Sequence, residues 1–188
     1  MHSLTATDIA WHMRLFAQAQ GHAWITPNVQ YYAWESDLLT VTPQGHVCEV
    51  EIKISRSDLK QDLLKPKHHQ GMLQDGAFLN KLVGVSPTLC EARELARQRE
   101  GATECRRPTY FCFAMPCEIY RRPRPMVLPS YAGIYTVDEE GRVFEERRPI
   151  QLHQQRLSTE DLLDLARRMH HRYWEELRRL ERKSPPAS

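Results

Sequence analysis

Several marks of well-known protein classes are missing from this chain of 188 residues. No apolar run approaches the roughly 20 residues that span a bilayer, and the first residues lack the basic start and apolar block of a secretory signal. The sequence also contains no P-loop, no dinucleotide-binding fingerprint and no ordered Ser/His/Asp set. These absences predict a cytoplasmic protein without membrane partners, and they argue against the common nucleotide-binding and serine-hydrolase classes.

Cysteine is scarce and irregularly spaced. The five cysteines are Cys48, Cys90, Cys105, Cys112 and Cys117. An odd number without framework spacing is typical of reduced thiols in a cytoplasm and not of a disulfide scaffold. Because no CxxC pair is present, as a zinc knuckle would need, we expect buried or surface thiols instead of a zinc site.

The composition itself is that of a globular protein, with 41% hydrophobic and 27% charged residues. This balance and length predict a single domain over residues 1–183, followed by a disordered tail at 184–188 that contains two prolines. The formal net charge of +2 indicates no class of partner by itself.

The local distribution of charge is more informative than the total. Residues 35–51 carry four acidic and no basic residues. Residues 53–70 carry five basic against two acidic residues, and residues 105–125 carry five basic against one acidic residue. An acidic segment between basic segments suits a metal ion beside a polyanion, although chance clustering on a solvated surface gives the same pattern.

Caps, turns and periodicity predict the first elements. Thr5 begins a capping box and a helix that ends at Gly21, and residues 22–30 are expected to form a proline-containing loop. Residues 31–41 and 47–54 are rich in β-branched and aromatic residues around a turn signal, which predicts an antiparallel hairpin.

The remaining helices and strands are predicted from the same kinds of signal. A second capping box at Ser55 predicts a helix to Lys65, and a polar helix is expected at 86–100. The later elements are a strand at 110–115, a proline-rich connection at 121–129, a hairpin of 131–137 and 143–147, and a long helix from Ser158 to about Arg182. This order predicts an α/β (α+β) fold with one mixed sheet of about five strands flanked by helices.

The chemistry is concentrated on the strand predicted at 47–54. Its side chains alternate, so Glu49, Glu51 and Lys53 share one face and apolar residues share the other. Asp37 lies on the partner strand of the hairpin and can reach the same site. Two carboxylates and the main-chain carbonyl of Ile52 would suit Mg²⁺, which prefers oxygen ligands. The alternative is a cross-strand ion pair on a solvated sheet face.

The short pattern of an acid, any residue and a lysine is weak alone, because it occurs three times here. The copies are Glu51-x-Lys53, Asp58-x-Lys60 and Glu181-x-Lys183. The last two fall on predicted helices, where residues two apart point in different directions and cannot share a site. Only the first copy lies on a strand beside an acidic neighbour.

Asp37, followed after thirteen residues by Glu51-Ile52-Lys53, resembles the PD-(D/E)XK nuclease superfamily with its restriction-endonuclease-like core. The segment 49–68 is similar to small phage-type members and to the MmcB-like group of DNA-repair endonucleases. Residues 110–116 and 128–135 resemble the third and fourth strands of that group. The resemblance covers about 5–66 and 108–150, and it implies a helical insertion at 70–105.

The resemblance implies a Mg²⁺- or Mn²⁺-dependent nuclease acting on DNA. Asp37 and Glu51 would be the metal-binding carboxylates, with the Ile52 carbonyl as a third ligand, and Lys53 would be the catalytic lysine. Contacts to nucleic acid are expected from the residues that follow, namely Ser55, Arg56, Lys60, Lys67 and His68. Ser36 stands where the superfamily motif has proline.

Three alternatives stay open at this point. The same fold could bind DNA without cleaving it, or serve as an assembly protein of a mobile element through its last helix. RNA is an alternative substrate. Related enzymes often form homodimers to cut both strands, which makes a homodimer an expectation for this chain as well.

Overall fold

The computed structural model describes residues 4–32, 34–65, 67–68, 107–121 and 128–183. The expected helical insertion at 70–105, the helix predicted at 86–100 and the predicted tail at 184–188 lie outside these residues.

Ten elements alternate along the described part of the chain. They are α1 (Ala6–Ala19), β1 (Trp24–Gln30), β2 (Glu35–Val41), β3 (Val47–Ile52), α2 (Arg56–Leu63), β4 (Tyr110–Pro116), α3 (Cys117–Arg121), β5 (Gly133–Val137), β6 (Val143–Arg147) and α4 (Thr159–Lys183). The six strands form one sheet in sequence order, from β1 at one edge to β6 at the other.

The sheet is mixed, as the sequence predicts. Strands β3, β4 and β5 are parallel neighbours, and every other pairing is antiparallel. Parallel strands need a long crossover, whereas a short turn joins antiparallel ones. The predicted hairpin of β2 and β3 is confirmed, and its turn holds Gly45 at a φ of 83°, in the left-handed region that glycine adopts readily.

The caps predicted at Thr5 and Ser55 are present, the first as a complete capping box and the second through its N-cap hydrogen bond alone. The Thr5 hydroxyl accepts from the Asp8 main-chain N–H, and the Asp8 carboxylate accepts from the Thr5 N–H, which completes the capping box of α1. The Ser55 hydroxyl accepts from the Asp58 N–H at 3.1 Å and begins α2. Each cap satisfies an N–H group that has no partner within its helix.

The loop predicted at 22–30 is wrong, because Trp24–Gln30 forms the edge strand β1 and raises the strand number to six. Pro27 discouraged a strand prediction, since it cannot donate a hydrogen bond to a neighbour. At an edge this loss is tolerated. Asn28 adopts a φ of 45°, and the register with β2 is the same on both sides of it, with Pro27 opposite Leu38 and Val29 opposite Ser36.

Helices cover both faces of the sheet. On one face, Ile9 and Met13 of α1 pack against Val50 and Ile52 of β3 within a continuous apolar cluster. On the other face, Leu59 and Leu63 of α2 pack with the aromatic residues of β4. Burial of these side chains stabilises the fold by removing apolar surface from water.

Helix α4 contacts the sheet mainly through its first half. Leu165 is fully buried against a cluster that includes Leu39 and Val41, whereas Tyr173 is 60% exposed. The guanidinium of Arg168 donates to the Gln30 carbonyl and ties the helix to β1. Among the described helices, none combines the length and apolar character needed to cross a membrane.

Candidate active site

A row of charged side chains lies on the face of β3 that is covered by α2. Glu49, Glu51 and Lys53 follow each other at alternate positions, and all three are almost completely buried. The parallel register places Phe111 beside Glu49 and Phe113 beside Glu51, so the acids lie against an aromatic wall. The predicted shared face is therefore present, but it is an interior face and not a solvated one.

Lys53 lies at the centre of the site. Its ammonium nitrogen is 3.0 Å from Glu51 Oε2, 3.3 Å from Asp62 Oδ1 and 4.0 Å from Asp37 Oδ2. Burial alone would lower the pKa of Lys53, but the Glu51 and Asp62 carboxylates outweigh burial and raise it. The side chain is therefore an ammonium ion at neutral pH.

Asp37 lies at the solvent side of the cluster, with 40% of its side chain exposed. Its Oδ2 accepts a hydrogen bond of 2.8 Å from the Ile52 main-chain N–H, which fixes the carboxylate against the end of β3. Burial and the Glu51 carboxylate raise the pKa of Asp37, although the Ile52 N–H and Lys53 oppose them. The structure thus brings together Asp37, Glu51 and Lys53.

Lys67 is a member of the cluster that sequence reasoning placed elsewhere. Its ammonium nitrogen lies 2.5 Å from Glu51 Oε1 and 3.6 Å from Glu49 Oε1. Lys67 and the adjacent His68 were expected on an accessible segment that contacts nucleic acid. In the structure they are only 6% and 1% exposed and their polar atoms contact buried acids, so a contact with nucleic acid stays a prediction for both.

Glu49 is the most deeply enclosed acid of the cluster, with no exposed surface. The indole N–H of Trp34 donates to its Oε1 at 2.8 Å, whereas its Oε2 has no hydrogen-bond partner within the described residues. Burial, and next the charge of Glu51, raise the pKa of Glu49 to about 8 against the opposing effects of Lys67 and Trp34. Folding therefore favours the protonated form of Glu49, which lowers the cost of its burial.

A hydrogen-bonded chain supports Lys53 from the side of α2. Asp62 contacts Lys53 through Oδ1, and its Oδ2 lies 2.9 Å from His68 Nε2. His68 Nδ1 lies 2.7 Å from the Tyr131 hydroxyl. Because a carboxylate only accepts hydrogen bonds, we assign the proton of neutral His68 to Nε2, and Tyr131 then donates to Nδ1.

The protonation states along this chain follow from its surroundings. Burial lowers the pKa of His68, although its bond to Asp62 acts in the opposite direction. Burial would raise the pKa of Asp62, but the hydrogen bond from His68 and the ammonium groups of Lys67 and Lys53 lower it overall. A neutral imidazole and an ionised carboxylate are the result.

The three remaining residues expected to contact nucleic acid have separate positions. Ser55 caps α2, and the Nε of Arg56 donates to the Ile119 carbonyl at 2.9 Å, which joins α2 to α3. Lys60 is exposed on α2. None of these contacts excludes a phosphate, so their roles stay predictions.

A signal for Asp62 was present in the sequence. Helix α2 buries Leu59, Asp62 and Leu63, so an acid stands within the apolar stripe of an amphipathic helix. An acid at such a position needs a partner, because an unpaired buried charge is costly. No comparable signal marked Lys67 or His68, since the helical pattern stops before them.

The charges of the cluster nearly balance when Glu49 and His68 are neutral. The carboxylates of Asp37, Glu51 and Asp62 then face the buried ammonium groups of Lys53 and Lys67 and the half-exposed one of Lys65, so three negative charges meet three positive ones. Lys65 contacts Asp62 Oδ1 at 2.5 Å from a position that is 56% exposed.

The donor chemistry of the cluster fits Mg²⁺. Within the described residues, no group of three or more His, Cys, Asp or Glu side chains could hold a metal ion. However, Mg²⁺ keeps several waters and usually binds through one or two carboxylates together with substrate phosphates. Asp37 and Glu51 supply such oxygens.

The described structure belongs to the class of mixed α/β proteins with one six-stranded sheet flanked by helices. No family model matches the chain, and no curated protein is significantly similar in sequence. The chain is similar to the solved structure of SPO1766, a protein of unknown function from Silicibacter pomeroyi. The TM-score is 0.55 at 14% sequence identity, and all of each chain is covered. At this identity the similarity shows the fold alone.

Proposed function

We propose that this protein is a Mg²⁺-dependent nuclease that hydrolyses DNA phosphodiester bonds, of the PD-(D/E)XK type that its sequence resembles. One observation carries the proposal. At the end of β3, Lys53 Nζ lies 3.0 Å from the Glu51 carboxylate and 4.0 Å from the Asp37 carboxylate. Two hard carboxylates can bind a divalent ion, and an ammonium group beside them can stabilise negative charge on a phosphate, as metal-dependent phosphodiester hydrolysis uses.

Asp37 and Glu51, with the main-chain carbonyl of Ile52, would hold the ion. When bound, Mg²⁺ or Mn²⁺ supplies Lewis-acid stabilisation of the charge that develops on the phosphate. The partial exposure of Asp37 gives the ion and the phosphate a side from which to approach.

Lys53 acts as a charged donor in this proposal. An ammonium group has three N–H donors and no acceptor, so it can orient an attacking water and stabilise negative charge on a phosphate oxygen. The surrounding carboxylates raise the pKa of Lys53, which favours this charged form. Asp62, held by His68, keeps the ammonium group in place.

The test is a cleavage assay on circular single-stranded and double-stranded DNA, and on RNA, with Mg²⁺, Mn²⁺ or EDTA. We expect metal-dependent cleavage that falls at least about 100-fold in Lys53→Met and in Asp37→Asn. The matched control is Glu139→Gln, which changes an exposed acid on the turn between β5 and β6 and should cut like the parent.

Asp37→Asn is included because it should destabilise the fold less than Lys53→Met does. Removing Lys53 takes one of two ammonium partners from each of the buried carboxylates Glu51 and Asp62, which can cost up to about 3–5 kcal/mol, whereas Asp37 is partly exposed. Circular dichroism of each variant separates unfolding from loss of chemistry. A folded Lys53→Met or Asp37→Asn protein that cuts as fast as the parent contradicts the proposal.

A non-cleaving DNA-binding protein is the second candidate. It is favoured by one observation, that Lys53 and Lys67 already neutralise Glu51 without an ion. Retention of DNA without cleavage under every metal condition would support this candidate against the nuclease.

A further inference from the structure

A cleft beside Asp37 has no role in the chemistry described above. It lies between α1 and the strands β1, β2 and β3, and its volume is about 370 Å³. Trp11 and Arg14 of α1 line it on one side, and Leu38, Ile52 and Asp37 line it on the other. The cleft lies on the α1 face of the sheet, opposite the face that carries Glu51 and Lys53, and Asp37 is the residue that it shares with the acidic cluster.

The wall formed by α1 has the chemistry of a stacking surface. Trp11 is 54% exposed, although tryptophan is usually much more buried. The guanidinium of Arg14 lies 4.9 Å from the centre of the Trp11 ring. An exposed aromatic ring beside an arginine is the combination that holds unpaired bases in proteins that bind single strands.

The size and lining of the cleft limit what it can take. Its volume is near the lower end of the range of about 300–1,000 Å³ that small-molecule pockets span, which suits one nucleotide and not a duplex. Leu38 and Ile52 give it an apolar floor, which suits the flat face of a base. A base that is paired and stacked in a duplex cannot enter without being extruded, which costs a few kcal/mol.

We propose that this cleft binds an unpaired nucleobase next to the scissile phosphate, so that the substrate is single-stranded DNA or an unpaired region of a duplex. The inference rests on the proposed function, because it uses Asp37 as the link between the base and the cleaved bond. Trp11 stacks on the base, and Arg14 supports the ring and attracts the adjacent phosphate.

The test measures binding and cleavage separately. Fluorescence anisotropy in Ca²⁺ gives the affinity for a labelled single-stranded oligonucleotide and for its duplex, and cleavage of both is followed in Mg²⁺. We expect Trp11→Ala to weaken single-strand binding about 5- to 150-fold, the range for loss of one stacked base, and to leave duplex binding nearly unchanged. Trp11→Phe should retain most of the affinity.

The matched control is Trp174→Ala, which removes a tryptophan that is 58% exposed on α4 and does not line the cleft. Single-strand affinity that is unchanged in Trp11→Ala, or equally reduced in both alanine variants, overturns the inference even when the parent cuts DNA. A Trp11-dependent preference for single strands in a protein that never cuts supports the cleft and overturns only the proposed function.

Discussion

Lys53 and Lys67 approach the carboxylate of Glu51 through its two oxygens. Lys53 contacts Oε2 and Lys67 contacts Oε1, and both ammonium groups are buried. A divalent ion bound through Glu51 would have to share this carboxylate with two positive charges. Lys53 is needed for the proposed chemistry, whereas Lys67 would compete directly with the proposed ion.

Substitution of Lys67 should therefore tighten metal binding. Charges about 4 Å apart interact by about 4 kcal/mol at an effective dielectric constant near 20, so we expect Lys67→Met to bind Mn²⁺ at least about tenfold more tightly. Isothermal titration calorimetry on the parent and the variant measures the change. Lys60→Met, which removes an exposed lysine of α2, serves as the control. Equal or weaker Mn²⁺ affinity in Lys67→Met would show that the two cations do not compete.

His68 is a buried base that the fold keeps neutral. Burial lowers its pKa below the ordinary value of 6.5, more than the bond to Asp62 raises it. Below about pH 6.5 the unfolded chain therefore takes up a proton that the folded chain does not. The stability contributed by neutral His68 is complete above this pH and is lost as the pH falls.

The pH dependence of unfolding tests this assignment. Glu49 acts in the opposite direction, since its raised pKa makes the folded chain the better proton binder, so the comparison must be made with a variant. We expect the parent to lose more stability than His68→Gln between pH 7.5 and pH 5.5, as measured by urea denaturation. Equal losses in both proteins would rule out a neutral buried His68. The exposed His171→Gln serves as the control and should follow the parent.

At the scale of elements, local signals specified most of the described part of the chain. The caps at Thr5 and Ser55 and the turn at Gly45 act through groups a few residues apart, so their sequences identify them. Strand β1 was missed because Pro27 is acceptable only at a sheet edge, and edge position is not a local property. Helix α3 was missed because it has only five residues.

Helix α4 allows a test of which side chain holds it against the sheet. Leu165 is fully buried, whereas Leu163 on the same helix is 50% exposed. We expect Leu165→Ala to lower the free energy of unfolding by about 2–5 kcal/mol, because it leaves a cavity in the core. Leu163→Ala should change it by less than about 0.5 kcal/mol. Chemical denaturation of both variants measures the difference. Similar losses of unfolding free energy in the two variants would mean that Leu165 is not the main contact between α4 and the core.

At the scale of the whole molecule, folding buries or pairs part of the positive charge of residues 53–70. Residues 53–70 carry five basic residues, but Lys53 and Lys67 are internal and Lys65 pairs with Asp62. The surface that this segment offers to a polyanion is therefore smaller than its sequence indicates. Within this segment, Arg56 and Lys60 are the described basic residues best placed to meet a phosphate.

The salt dependence of DNA binding should distinguish the exposed Lys60 from the buried Lys67. Each neutralised phosphate of duplex DNA contributes about −0.9 to the slope of log affinity against log salt. We expect Lys60→Ala to reduce the slope by about one such contribution, and Lys67→Met to leave it unchanged. Binding titrations at several salt concentrations measure both slopes. A reduced slope in Lys67→Met would mean that this lysine reaches the nucleic acid.

The sequence by itself determined the alternation of Glu49, Glu51 and Lys53 and the hairpin that brings Asp37 near them. Both follow from local rules, the two-residue period of a strand and the geometry of a short turn. Only the tertiary structure decided that Asp62, Lys67 and His68 join the cluster, because their contacts depend on how α2 and the residues after it pack on the sheet. It also decided the protonation states of Glu49 and His68, since these depend on burial and on neighbours distant in sequence.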